Sequence, residues 1–240
     1  MIGLGKTDIG KVRPLNEDTL YINDRAIGCL ENLYIVADGM GGHNAGEVAS
    51  NESVRFFCEY IENNKSDEIL DLMVSALRYA NKKVYEMSLE NEGYSNMGTT
   101  FVGATFKDDT GYFVHVGDSR VYIARGNKLH QITTDHTYVM EMVRAGEMTL
   151  EEAKVNPRRN IITRAIGTNE KVVVDGLVSK MMKNDIILLC SDGLTGMLSD
   201  DELNDILNED SGINDKVGKM IEEANRNGGT DNITAIIITE

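Results

Sequence analysis

An α+β chain, with two antiparallel sheets packed together and pairs of helices outside them, is what this sequence predicts. Three observations predict it. Strand-like runs follow one another between residues 99 and 132 and again after 172, instead of alternating one by one with helices. Two long stretches with helical spacing stand side by side ahead of that β-rich region. The 240 residues, 41% hydrophobic and 26% charged with two prolines, suit one folded domain over residues 1–240, without a linker or low-complexity tail.

Taken in order, residues 32–37 read as a buried strand that stops at Asp38-Gly39-Met40-Gly41-Gly42, where the glycines permit a tight, irregular turn. Residues 45–63 place Val48, Val54, Phe57, Cys58 and Ile61 mostly along one helical face. Residues 67–90 repeat Ile69, Met73, Leu77, Ala80, Val84 and Met87 every three or four positions, which is a core stripe. Residues 99–106, 112–116, 120–125 and 129–132 are short β-rich runs separated by turn signals, and read as an antiparallel meander. Residues 137–167 are helical and irregular, with Thr149-Leu-Glu-Glu152 forming a capping box. Strands return at 172–178 and 186–190, Ser199-Asp-Asp-Glu202 caps another helix, 217–224 suggests a last helix, and 233–239 is the closing strand.

The formal net charge of −15 repels nucleic acid and anionic membranes, so neither is expected as a partner. Cys29, Cys58 and Cys190 are odd in number and lack a CxxC spacing, against a disulfide framework or zinc knuckle and in favour of a reducing compartment. The N-terminal residues lack an apolar signal region, and no stretch approaches the roughly 20 apolar residues of a membrane span. A cytoplasmic protein is expected.

The chemistry lies in the aspartates. Asp38, Asp118, Asp192 and Asp231 each fall at the edge of a β-rich segment, and the first three adjoin a glycine. Carboxylate and carbonyl oxygens without His or Cys nearby suit hard cations such as Mg²⁺ or Mn²⁺ rather than zinc. Two such ions roughly 3.5–4 Å apart can share a water, lower its pKa and clamp a phosphoryl group. Taken singly, an Asp-Gly pair is an ordinary turn. Four carboxylates at strand ends, together with Arg13, Glu17 and Asp18, set a cation site level with that reading.

The ordered set Arg13-x-x-Asn16-Glu17-Asp18, Ala37-Asp38-Gly39-Met40-Gly41-Gly42-His43, Gly98-Thr99-Thr100, Val116-Gly117-Asp118-Ser119-Arg120, Ser191-Asp192-Gly193 and Gly229-Thr230-Asp231-Asn232-Ile233-Thr234 resembles the metal-dependent PP2C-type (PPM) protein phosphatases. The likeness covers nearly the whole chain and is strongest to the short bacterial members. It implies a four-layer α-β-β-α sandwich and a protein serine/threonine phosphatase. It further implies two or three Mn²⁺ or Mg²⁺ ions, with Asp38 bridging two of them and Gly39 offering its carbonyl. Asp192 and Asp231 complete the dinuclear site, Asp118 with Asp192 supplies a third position, and Glu17, Asp18 and Asn232 stand behind the ligands.

By the same resemblance, a metal-bridging hydroxide attacks phosphorus while Arg13, a rigid bidentate fork, grips the substrate phosphate. No phosphoenzyme forms. His43 is the candidate general acid, although eukaryotic relatives carry their histidine directly after the Asp-Gly pair, where this chain has Met40. Residues 137–167 correspond to a flap beside the active site, with Pro157-Arg158-Arg159-Asn160 offering cations to substrate and Asn160 within reach of the third metal. His115 and Arg120 read as structural, and His130 and His136 carry no role. The expected partners are phosphorylated proteins, including a bacterial Ser/Thr kinase, and the expected state is a monomer. The alternatives are a phosphatase dedicated to one regulatory phosphoprotein, or an inactive module that binds phosphoproteins.

Overall fold

The computed structural model describes residues 1–41 and 45–240. Five antiparallel strands form one sheet in the order β1 (Ile2–Asp8), β11 (Ile233–Thr239), β10 (Ile186–Cys190), β7 (Arg120–Arg125), β8 (Lys128–Gln131). The other sheet runs β2 (Asp18–Asn23), β3 (Leu33–Met40), β5 (Phe101–Lys107), β6 (Thr110–Val116), β9 (Asp175–Lys180), with β4 (Gly98–Thr99) pairing the end of β3. Helices α1 (Ala45–Asn63) and α2 (Ile69–Glu90) follow β3. Between β8 and β9 lie α3 (Tyr138–Arg144) and α4 (Leu150–Val155), and α5 (Asp192–Thr195), α6 (Asp200–Leu207) and α7 (Ile213–Arg226) separate β10 from β11.

Side-chain alternation along the central strands builds the layers. In β3, Leu33, Ile35 and Ala37 join the cluster holding Phe57 and Leu77 of α1 and α2, while Tyr34 and Val36 point into the space between the sheets. In β11, Ile236 and Ile238 enter that same space, and Ile233, Ala235 and Ile237 pack against Leu203 of α6 and Val217 of α7. Both faces of these strands are covered, so they read as unbroken apolar runs. Each fully buried side chain of this size contributes about 1.5–3 kcal/mol of transfer free energy. The result is the four-layer α-β-β-α sandwich expected. Both predicted capping boxes form, at Thr149 and at Ser199. All three cysteines are free, and no described helix is long and apolar enough to cross a membrane.

Three features depart from the sequence reading. The strand 32–37 does not stop at Asp38; β3 carries Asp38 opposite Asp18 and continues to Met40 along β4. Glycine is what allows this. A Cβ on Gly39 would lie 2.2 Å from the Gly46 carbonyl oxygen and 2.6 Å from that of Glu17, both backbone atoms that cannot step aside. Gly39→Ala is therefore expected to destabilise the protein by about 3 kcal/mol, the upper range for overpacking. That is a drop of about 6–12 °C in melting temperature for a chain of this size, and a variant melting with the wild type in calorimetry would contradict the packing described.

The supposed meander is the second departure. β5 and β6 belong to one sheet and β7 and β8 to the other, and the chain crosses between them at Gly117-Asp118-Ser119. Gly117 makes the crossing with φ of +108°, a conformation that side chains rarely adopt. Third, β1 and β2 were not foreseen. Their sequences, IGLGKTD and DTLYIN, lack a continuous apolar face because β1 uses Gly3 where a Cβ would strike the Tyr34 ring.

Candidate active site

The sandwich brings the acidic residues to one end, where the two sheets meet. Asp18 opens β2 and Asp38 lies beside it in β3, in register. Asp118 sits in the crossing between the sheets, Asp192 directly follows β10 and its Ser191 cap, and Asp231 stands two residues before β11. Because β10 and β11 are antiparallel neighbours, the residue after one and the residue before the other emerge together.

Hydrogen bonds fix this arrangement. Asp18 Oδ2 accepts from Ser191 Oγ at 2.8 Å and Thr234 Oγ1 at 2.6 Å, so a carboxylate of one sheet is tied to two hydroxyls of the other. The Asp38 backbone N–H donates to Thr100 Oγ1 at 3.0 Å, and its carbonyl accepts from Thr100 N at 2.8 Å and Thr99 Oγ1 at 2.9 Å. Thr100 Oγ1 also meets Ser119 Oγ at 2.6 Å, linking β3 to the crossing that holds Asp118. Asn232 Oδ1 accepts from Glu17 N at 2.8 Å, and its Nδ2 donates to the carbonyls of Ile9 and Leu15, which pins the loop carrying Arg13. Arg13 is exposed and donates from Nη2 to Asp231 Oδ2 at 2.7 Å.

Electrostatics report the crowding. Burial holds the Asp38 carboxyl well above its usual range, and Asp18, Asp192, Asp118 and Asp231 all push it further. Burial raises Asp18 to about 7 against the hydrogen bonds from Thr234 and Ser191, with Asp192 and Asp231 adding to the rise. Asp118 is raised by burial, then by Asp192 and Asp135. Asp192 is raised by burial and Asp231, with a hydrogen bond from Asp38 opposing the shift. Glu17 is raised by burial. Burial leads every one of these shifts, and repulsion between neighbouring carboxylates adds to it.

Among the described residues, the buried oxygens Glu17 Oε1, Asp18 Oδ1 and Asp118 Oδ1 have no hydrogen-bond partner. Such groups are costly unless something positive reaches them. An all-oxygen donor set, mutually repelling and partly unsatisfied, fits Mg²⁺ or Mn²⁺. Gly39, buried and bonded from its N–H to the Glu17 carbonyl at 3.1 Å, lies within this ring. His43 lies outside the described residues. A groove of about 570 Å³ lined by Tyr21, Val54, Arg55, Cys58 and Glu62 lies on the outer side of β2 and α1, apart from the acids. Its one cation, Arg55, is bonded to Glu52 and Glu59, and Glu59 and Glu62 line the groove, so its charge is set against a phosphate.

His115, His136 and Arg120 behave structurally. Arg120 forks onto Asp135, with Nε to Oδ1 at 3.0 Å and Nη2 to Oδ2 at 2.8 Å, and donates to Tyr122 Oη at 2.9 Å. His115 is fully buried, and burial lowers its pKa to about 3, so it is neutral. His115, His136 and Asp175 present ligand atoms within 4.8 Å of one another. Two facts set them against a cation. The imidazole rings are stacked, 4.5 Å between centroids at 28°, so their in-plane lone pairs do not converge. The Arg164 guanidinium already occupies the space, 2.9 Å from Asp175 Oδ1. The sequence reading gave His136 and Asp175 no part, and their only signal was a histidine beside the root of the 137–167 segment.

Known proteins resemble this chain over nearly its whole length. A sequence profile described as Protein phosphatase 2C matches residues 15–234. Protein phosphatase PhpP of Streptococcus pneumoniae is 36% identical over 236 residues, which covers 97% of this chain and 95% of that protein. The solved structure of a serine/threonine phosphatase from S. agalactiae superposes with a TM-score of 0.91 at 38% identity, covering 99% of both chains. The catalytic domain of the serine threonine protein phosphatase PstP, solved in complex with two manganese ions, superposes with a TM-score of 0.84 at 32% identity, over 98% of this chain and 96% of that one.

Proposed function

The chain belongs to the protein phosphatase 2C family and is a metal-dependent protein serine/threonine phosphatase, and we propose that the converging acids at the end of its sandwich are the hydrolytic centre. The observation that carries this is the convergence of Asp18, Asp38, Asp118 and Asp192, each raised by burial and then by its acidic neighbours, around oxygens that no described protein group satisfies. Asp38, the Gly39 carbonyl, Asp192 and Asp231 would hold two Mn²⁺ or Mg²⁺ ions, Asp118 with Asp192 a third, and Glu17, Asp18 and Asn232 would keep those ligands in place. Such ions supply positive charge against phosphoryl oxygens and acidify a coordinated water.

The remaining roles belong to side chains. Arg13 stands exposed at the rim, and its guanidinium has five donors, so it can hold Asp231 with one and present others to a substrate phosphate. Asp18 keeps the two sheets in registry beneath the ligands. His43 is proposed to protonate the leaving serine or threonine oxygen. Cys58 and Cys190 are unfit as nucleophiles, because burial raises the Cys58 thiol to about 11 and the Cys190 thiol to about 12. Neither a phosphatase with one dedicated target nor an inactive binding module gains support, the latter because none of the expected acids is missing. Phosphorylated proteins are the substrates, a bacterial Ser/Thr kinase among them, and the setting proposed is the cytoplasm, with the chain acting as a monomer.

Hydrolysis of a phosphothreonine peptide and a phosphotyrosine peptide, each with Mn²⁺, Mg²⁺ or chelator, tests the reading. Phosphothreonine turnover is expected with either cation and is lost in chelator. Undiminished activity in chelator would remove the metal centre, and a preference for phosphotyrosine would overturn the substrate class.

A further inference from the structure

We infer that His136 is a positioning residue that fixes Asp118 and the 137–167 segment relative to each other. It lies at the junction of the two. Its Nδ1 accepts from the Gly117 N–H at 3.0 Å, and its own N–H donates to the Gly117 carbonyl at 2.8 Å, so both backbone polar groups of the glycine before Asp118 are held by one residue. With Nδ1 accepting, the neutral ring carries its proton on Nε2, which donates to Asp175 Oδ2 at 3.1 Å. Arg164 Nη1, itself a donor, lies beside Nε2 and serves Asp175 Oδ1 at 2.9 Å. Arg164 belongs to the returning limb of the segment, and the His136 carbonyl accepts from Thr163 N on that same limb at 2.8 Å. Tyr138 N donates to the Ile161 carbonyl at 2.8 Å, and Ile166 pairs with Thr99, whose hydroxyl holds the Asp38 carbonyl.

Nδ1 thus serves the carboxylate side and Nε2 serves the segment side. His115 stacks on the ring and has no hydrogen-bond partner among the described residues, so packing is what it contributes to the orientation of the imidazole. Gly117 cannot be replaced by a residue whose side chain would stiffen the crossing, since a Cβ there would meet Thr100 at 2.6 Å and its φ is positive. This inference deepens the reading of Asp118 as a cation ligand and rests on it.

The two nitrogens can be separated by substitution. In His136→Asn the amide oxygen takes the place of Nδ1 and keeps the Gly117 bond but no longer reaches Asp175. In His136→Gln the longer amide reaches Asp175 and leaves Gly117 without its acceptor. Mn²⁺ affinity by calorimetry, amide hydrogen exchange at Gly117, and kcat and KM on a phosphothreonine peptide are the readouts. H136Q is expected to lose protection at Gly117 and about 10–100-fold in Mn²⁺ affinity or kcat, the range for a group that orients a ligand, with KM little moved. H136N is expected to recover most of that loss while raising KM. Equal shifts of kcat and KM in both variants, or no shift in either, would overturn the inference. Asp118→Asn is the control: if it leaves Mn²⁺ affinity and kcat intact, the assignment of Asp118 fails, while the KM effect of H136N still decides the link to the segment.

Discussion

Replacing Asp192 with alanine is expected to cut turnover of a phosphothreonine peptide by about 10³-fold and leave the fold intact. In the proposed arrangement Asp192 serves two cation positions, and losing it forfeits several kcal/mol of charge stabilisation; about 4 kcal/mol corresponds to ~10³ in rate. The same change relieves the protein. Asp192 is one of the carboxylates that push Asp38 upward, so its removal takes a like charge out of a crowded site. Melting in chelator is accordingly expected to be unchanged or higher, by up to about 2–4 °C for about 1 kcal/mol. Two results would count against this account: full activity in D192A, or a variant that melts well below the wild type with chelator present.

Stability in chelator is expected to fall as pH rises from 5 to 8, and Mn²⁺ is expected to remove that slope. The sign follows from proton uptake. Asp18 titrates near 3.8 when unfolded and near 7 when folded, so between those values the folded protein binds more protons than the unfolded chain. Its contribution is therefore largest below about 4, declines through the window and levels off above about 7. For Asp18 alone the swing is roughly 4 kcal/mol at most, and coupling to Asp38 and Asp192 spreads it over the group. Below pH 4 other carboxylates act in the opposite sense. At Asp175 the effect of burial is outweighed by the hydrogen bond from His136 and the Arg164 charge, and at Asp185 by Arg125, so both lose stabilising contacts on protonation. Melting curves across pH 5–8 decide it. A protein that becomes steadily more stable towards pH 8 in chelator does not have its acids packed as described.

The sequence was most readable where one physical signal dominated. The helix at 45–63, the strands at 120–125, 186–190 and 233–239, and both capping boxes appear where the spacing placed them. Their side chains repeat with one period, and capping chemistry is local. Each predicted carboxylate also reaches the same end of the sandwich, because an apolar strand next to an acidic turn delivers its acid to a sheet edge. What could not be read was tertiary. The continuation of β3 past Asp38 depends on how near Gly46 comes, the change of sheet at Gly117 depends on Thr100, and β1 hides its strand character by using glycine under Tyr34. The His136–Asp175–Arg164 linkage joins residues 28 and 39 positions apart and leaves no local pattern.

The ladder between β10 and β11 doubles as a gauge. Asp192 and Asp231 project from neighbouring antiparallel strands whose pairing runs from Ile187↔Ile238 to Cys190↔Ala235. A slip of one residue would displace one carboxylate by about 3.4 Å, nearly the whole spacing of two cations sharing a water. Substitutions far from the acids that loosen this ladder, at Ile237 for example, should thus be felt as weaker cation binding before they are felt as unfolding.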